Sequence, residues 1–115
     1  AGQAALEQAG QLLGDHVTFI PTPGHTPGHV SVLVQSNDRQ ALITGDAIHS
    51  TAQCWHPDWH FKYDGDPEMA VHSRRQLLET ASETGCLVLG THFALPSLGR
   101  VKAENDVFCW TEETA

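Results

Sequence analysis

The run Thr22-Pro23-Gly24-His25-Thr26-Pro27-Gly28-His29 constrains this chain more than any other eight residues. Its two prolines and two glycines forbid both helix and strand across it. Apolar stretches of strand character flank it. Residues 16–20 precede it, and in residues 30–35 Val30, Val32 and Val34 alternate with Ser31, Leu33 and Gln35. The chain must therefore build a sheet in which a stiff, histidine-bearing loop joins two strands. Gly24 and Gly28 allow backbone angles and close approaches closed to other residues, so the loop can hold an imidazole at the strand ends.

The remaining elements follow from local signals. Residues 1–13 carry Leu6, Ala9, Leu12 and Leu13 on one helical face, and Gly14 is a plausible stop, so the last turns of a helix are expected there. Asn37-Asp38 mark a hairpin turn, after which residues 40–44 return as a strand closed by Gly45-Asp46. Residues 47–65, rich in His, Trp, Pro and Asp, read as a long loop. Asp66-Pro67-Glu68 is a strong helix start: a capping side chain, proline at the first helical position and an acid in the first turn. The helix should run to about Thr84 and stop at Gly85, burying Ala70, Val71, Leu77, Leu78 and Ala81. Residues 86–89 form a short apolar strand, followed by strands at about 100–104 and 107–111.

Composition bounds the function. A chain of 115 residues makes one domain. Fourteen acidic against six basic residues, net −8, exclude nucleic acid and an anionic membrane surface as partners, because both need clustered Lys and Arg. The three cysteines form no CxxC pair, so no disulfide framework is expected; Cys86 and Cys109 read as small core residues, and a reduced, cytoplasmic setting fits. Eight histidines exceed the roughly two or three of ordinary usage and point to metal.

His25, Asp46 and His92 each follow directly on a predicted strand, where ligands gather in sheets flanked by helices. Imidazole, carboxylate and imidazole together are the composition of a metal site. Gly45 lets the chain turn so that Asp46 projects over the same end, and the two oxygens of a carboxylate can bind two different ions.

Residues 20–50, IPTPGHTPGHVSVLVQSNDRQALITGDAIHS, resemble the second-half motifs of the metallo-β-lactamase superfamily, and GTHF at 90–93 resembles its last histidine motif. The stretch from Asp64 to Trp110, with its helix, GTHF and PSLGRV, is similar to the acyl-homoserine-lactone lactonase-like and methyl parathion hydrolase-like subgroups. The resemblance implies an α/β (α+β) fold: half of an αββα sandwich, with one mostly antiparallel sheet and a covering helix. It implies metal-dependent hydrolysis, in which a hydroxide bridged by two metals attacks an ester, lactone, amide or phosphoester of a small-molecule substrate. His25 would bind the first ion, Asp46 would bridge both and serve catalysis, and His92 would bind the second. Zinc is the expected ion, with manganese or iron also suited to these ligands.

The superfamily's HxHxDH motif does not occur in this sequence. Residues 1–115 therefore read as the C-terminal half of such a domain, with its N-terminal half absent. Three ligands for two ions leave each below the usual four, so the isolated chain is expected to bind metal weakly and to be inactive. A homodimer, or a separate N-terminal half, would cover its open apolar face. The competing reading is a non-catalytic, self-associating fragment.

Other residues carry weaker signals. His29 is expected to hydrogen-bond within its turn, supporting the ligands rather than joining them. His49 is close enough in sequence to Asp46 for a similar supporting role, and Phe93 could line the pocket. His56 and His60 stand four apart, but Pro57 breaks the helix that would pair them as ligands; His72 reads as solvated, and His16 stays open. Trp55, Trp59, Phe61 and Tyr63 are expected to form a small core beneath the long loop, or alternatively a wall of the substrate pocket.

Overall fold

A computed structural model describes residues 2–114. Strands β1 (Leu12–Leu13), β2 (Val17–Pro21), β3 (Val30–Ser36) and β4 (Arg39–Ile43) lead into a 3-10 turn at Gly45–Ala47 and the short helix α1 (Ala52–Trp55). Helix α2 (Pro67–Thr84) follows, then β5 (Leu87–Leu89), β6 (Leu98–Glu104) and β7 (Val107–Glu112). The seven strands form one sheet in sequence order. Every neighbouring pair is antiparallel except β4 and β5, which run parallel. A parallel step needs a long crossover, and α2 supplies it. The fold is thus α+β: one mostly antiparallel sheet with one main covering helix, as the sequence implied.

Local chemistry sets the boundaries. Asn37 and Asp38 both have positive φ (49° and 61°), as do Asn105 and Asp106 (49° and 65°). Two such residues in succession give the hairpin turn whose twist matches its strands. Asp66 accepts the Met69 N–H at 3.1 Å, Pro67 opens α2, and Gly85 ends it at φ 64° with its N–H on the Ala81 carbonyl. The buried face of α2 is Ala70, Ser73, Arg74, Leu77, Leu78 and Ala81; Val71 is only half-buried. Leu77 and Leu78 pack with Leu42, Val88, Val101 and Phe108 into the core. Truncating a buried leucine of this kind to alanine costs about 2–5 kcal/mol, so this layer fixes α2 on the sheet.

Three expectations are corrected. Residues 2–11 form no helix, and Leu12–Leu13 pair with Val17 and Thr18 as an edge strand; Ala1 lies outside the described residues. Leu6 is fully exposed, so the helical face has nothing to pack against. A short helix gains its stability mainly from such packing. Gly10 and Gly14 instead adopt positive φ, and the Gly10 N–H bonds to the Phe19 carbonyl at 2.6 Å. The stretch 47–65 is not a plain loop, because α1 buries Gln53 and Cys54 within it. Gln53 accepts the His49 N–H at 2.7 Å and donates to the Trp59 carbonyl at 3.0 Å, stapling the segment to itself. Cys86 is buried as expected, but Cys109 is only half-buried, with its thiol on the Glu104 carboxylate.

Among the described residues, no helix is long and apolar enough to cross a membrane. Cys54 is fully buried, and burial pushes its thiol up to about 12. At pH 8 its thiolate fraction is then about one in ten thousand, and the thiolate is the reactive form. Iodoacetamide should leave Cys54 unmodified until denaturant is added, as read by peptide mass mapping. Labelling at the rate of a free thiol would show that α1 opens readily.

Candidate metal centre

The loop between β2 and β3 is pinned to the start of α2. The Gly65 N–H bonds to the His25 carbonyl (3.1 Å), the Asp66 N–H to the Gly24 carbonyl (2.8 Å), and the Ser73 hydroxyl to the Pro23 carbonyl (2.6 Å). Gly24 has φ 138°, and a Cβ there would stand 2.3 Å from the Ala70 backbone. Gly28 lies in open space without positive φ, so the close approach expected of both glycines belongs to Gly24 alone.

A relay of hydrogen bonds ties this loop to the turn after β4. The Asp46 N–H donates to His29 Nε2 at 2.9 Å, which leaves the proton on Nδ1. Nδ1–H then donates to the Thr22 hydroxyl (2.8 Å), Thr22 to the Ser31 hydroxyl (3.0 Å), and Ser31 to the Thr44 carbonyl (2.9 Å). Burial lowers the pKa of His29, which keeps the ring neutral and able to accept. Gly45 turns at φ 58°, and a Cβ there would stand 2.8 Å from His29 Nε2. His29 hence makes the in-turn bond expected of it and also holds the Asp46 backbone.

His25, Asp46 and His92 meet at one rim of the sheet. Asp46 Oδ1 lies 2.6 Å from His92 Nε2, and Asp46 Oδ2 lies 3.5 Å from His25 Nε2. Each carboxylate oxygen thus faces a different imidazole. The hydrogen bond from His92 is the main cause holding the Asp46 carboxyl below its usual range. His49 joins them: potential ligand atoms of Asp46, His49 and His92 lie within 4.8 Å of one another. Its ring stacks between Phe61 (3.6 Å between centroids) and His92 (4.9 Å). Burial lowers the pKa of His49 as well, and its buried Nδ1 has no hydrogen-bond partner. Several imidazoles around one carboxylate, with a buried ring nitrogen of His49 left unsatisfied, suit a divalent cation.

A pocket of about 360 Å³ opens over these groups, lined by His25, Asp46, His49, Phe61, Tyr63 and His92. Phe93 is not part of it. Its side chain turns into the core, 7% exposed, edge-on to Trp110 at 5.0 Å and against Gly90, where it anchors the loop that carries His92. The four aromatics of residues 55–63 form no small core either. Trp55 and Trp59 are exposed, with Trp59 stacked on His56, while Phe61 and Tyr63 turn to the pocket.

Two residues of the site escaped sequence reasoning. Asp64, with a side chain 1% exposed, accepts from His25 Nδ1 at 3.0 Å. That bond engages Nδ1 and turns Nε2 toward Asp46. Arg74 lies against Asp64, with Nη2 3.7 Å from Oδ2. An arginine four residues after Ala70 and three before Leu77, inside an apolar stripe, was the available signal.

The chain is similar to known proteins in sequence and in fold. The metallo-beta-lactamase superfamily profile matches residues 2–90. The mouse hydroxyacylglutathione hydrolase-like protein is 30% identical over 102 residues, 86% of this chain and 27% of its own length. The solved structure of AidC, a dizinc quorum-quenching lactonase in complex with a product, superposes with a TM-score of 0.87 at 31% identity, covering 95% of this chain and 37% of that one. The hydrolase AbOPH of the β-lactamase superfamily superposes with a TM-score of 0.82 at 26% identity, covering 88% and 35%. The chain thus spans about a quarter to two-fifths of the length of these relatives. With its profile matched over most of the sequence, the chain belongs to the metallo-β-lactamase superfamily of metal-dependent hydrolases.

Proposed function

We propose that this chain supplies one side of a two-metal hydrolase centre, in which His25 would help hold one divalent ion, His92 the other, and Asp46 would serve both. The observation that carries this reading is the placement of the two Asp46 oxygens, one toward each imidazole. Zinc is the ion that best suits two imidazoles and a carboxylate. The chemistry such ions supply is a nucleophile drawn from water at neutral pH and polarisation of the substrate oxygen. The chain's own residues orient and enclose. Asp64 holds His25, His29 holds the Asp46 turn, and Phe61 and Tyr63 wall the pocket over the ligands.

We infer a small electrophilic substrate, an ester or lactone foremost. The pocket volume lies within the about 300–1,000 Å³ of small-molecule sites, and a solved relative is a lactonase. Even with His49, four side chains cannot complete two ions at about four ligands each. We therefore assign the remaining ligands to residues outside these 115.

Zinc titration of the chain by calorimetry, with a lactone and aryl-ester hydrolysis panel, tests both points. Weak zinc binding without turnover is expected. No zinc binding at all would remove the metal reading. Chelator-sensitive turnover by the chain alone would show that these residues suffice and overturn the shared-ligand assignment.

A further inference from the structure

Arg74 occupies a position where the helix pattern calls for an apolar side chain. Its neighbours on the buried face of α2 are Ala70, Leu77, Leu78 and Ala81, and its own side chain is fully buried. Burying a guanidinium is costly, and an apolar residue of similar volume commonly serves a core as well or better. The fold alone therefore does not explain it.

Its hydrogen bonds do. Nε donates to the Ala47 carbonyl at 3.1 Å, and Nη1 donates to the carbonyls of Pro57 (2.7 Å) and Trp59 (3.1 Å). These three fixed acceptors clamp the guanidinium plane from two segments. The remaining nitrogen, Nη2, is buried without a hydrogen-bond partner and faces Asp64 Oδ2 at 3.7 Å. Asp64 Oδ2 likewise has no other partner, while Oδ1 of the same carboxylate accepts the hydrogen bond from His25 Nδ1–H. The carboxylate is thus held between a clamped cation and an imidazole.

We propose that Arg74 is a positioning residue for the metal centre: it orients the Asp64 carboxylate, and through it fixes the tautomer and aim of His25. The proposal rests on the reading of His25 as a metal ligand. The guanidinium itself lies outside the pocket lining. It is the rigid backing that lets a loop carboxylate 39 residues from His25 hold that ring in one orientation.

A double-mutant cycle on the 115-residue chain tests this. Arg74→Met and Asp64→Ala should each weaken zinc binding by about 10–100-fold, the range typical for partners that orient a ligand. The double variant should bind no more weakly than the weaker single variant, because both act on one bond. Losses that multiply would overturn the proposal, since a merely structural Arg74 acts independently of Asp64. Long-range ¹H–¹⁵N NMR of the metal-free chain gives a second readout. His25 should hold the Nδ1–H tautomer in the wild type and become mixed in Arg74→Met; an unchanged tautomer refutes the idea. Should Arg74→Met fail to fold, Arg74→Lys keeps the cation but lacks the planar fork. It should lose zinc affinity and tautomer purity, and wild-type values for both would count against the clamp. If the wild type binds no zinc, the metal reading fails, while the NMR arm still decides the role of Arg74.

Discussion

Asp46→Ala should leave the chain folded and reduce its zinc affinity by more than the about 10–100-fold that loss of an orienting partner causes. The two halves of this expectation have separate causes. The fold uses the backbone of residue 46, whose N–H donates to His29 Nε2, and alanine keeps that bond. The side chain is about a third exposed and contributes no packing layer. Its two oxygens, by contrast, face the two candidate ligands His25 and His92, so on the proposed two-ion reading one substitution would withdraw a donor from both sites. On the same reading His25→Ala or His92→Ala would remove a donor from one site only and should cost less. Calorimetric zinc titration alongside a thermal melt separates the effects; affinity within tenfold of wild type would rule out a spanning role. The metal-free chain offers an independent check. The folded-state pKa of Asp46 lies below the ordinary 3.8, chiefly through the His92 hydrogen bond. The resulting stability is fully present above that ordinary value and is lost as pH falls through the lowered one. Asp46→Ala should remove this contribution to acid unfolding.

Legibility in the sequence followed the range of the interaction. The limits of α2 were written in Asp66, Pro67 and Gly85 because a cap, a fixed φ and a left-handed stop act within four residues. The hairpin at Asn37-Asp38 was legible for the same reason. Residues 2–13 misled because the periodicity of Leu6, Ala9, Leu12 and Leu13 is genuine, but nothing packs on that face, and pairing with β2 takes residues 12 and 13 instead. Phe93 misled because neighbours in a turn diverge: the His92 side chain is half exposed while Phe93 lies beneath it against Trp110. His25, Asp46 and His92 could be named because each follows a strand. Asp64 and Arg74 could not, because their meeting with His25 depends on how the segment 56–65 folds back beneath the pocket. Local spacing holds no record of that path.

Gly24→Ala should destabilise the chain by about 2–6 kcal/mol, combining roughly 1–3 for backbone strain with roughly 1–3 for forced overlap. Gly24 sits at φ 138°, outside the range of comfort for an L side chain, and its missing Cβ would stand 2.3 Å from both the N and Cα of Ala70. Those atoms belong to helix backbone, which cannot step aside as a flexible side chain can. Relief requires the loop to lift from α2, and this breaks the bonds from Asp66 N–H to the Gly24 carbonyl and from Gly65 N–H to the His25 carbonyl. His25 moves with the loop and loses its alignment with Asp64, so zinc affinity should fall together with the denaturant midpoint. Gly28→Ala is the control: it lies in the same loop, with ordinary φ and open space around it, and should change neither quantity by much. A Gly24→Ala chain with wild-type midpoint and wild-type zinc binding would mean that the loop does not rest on α2. The link from TPGHTPGH to a helix-backed metal ligand would then be broken at its first step.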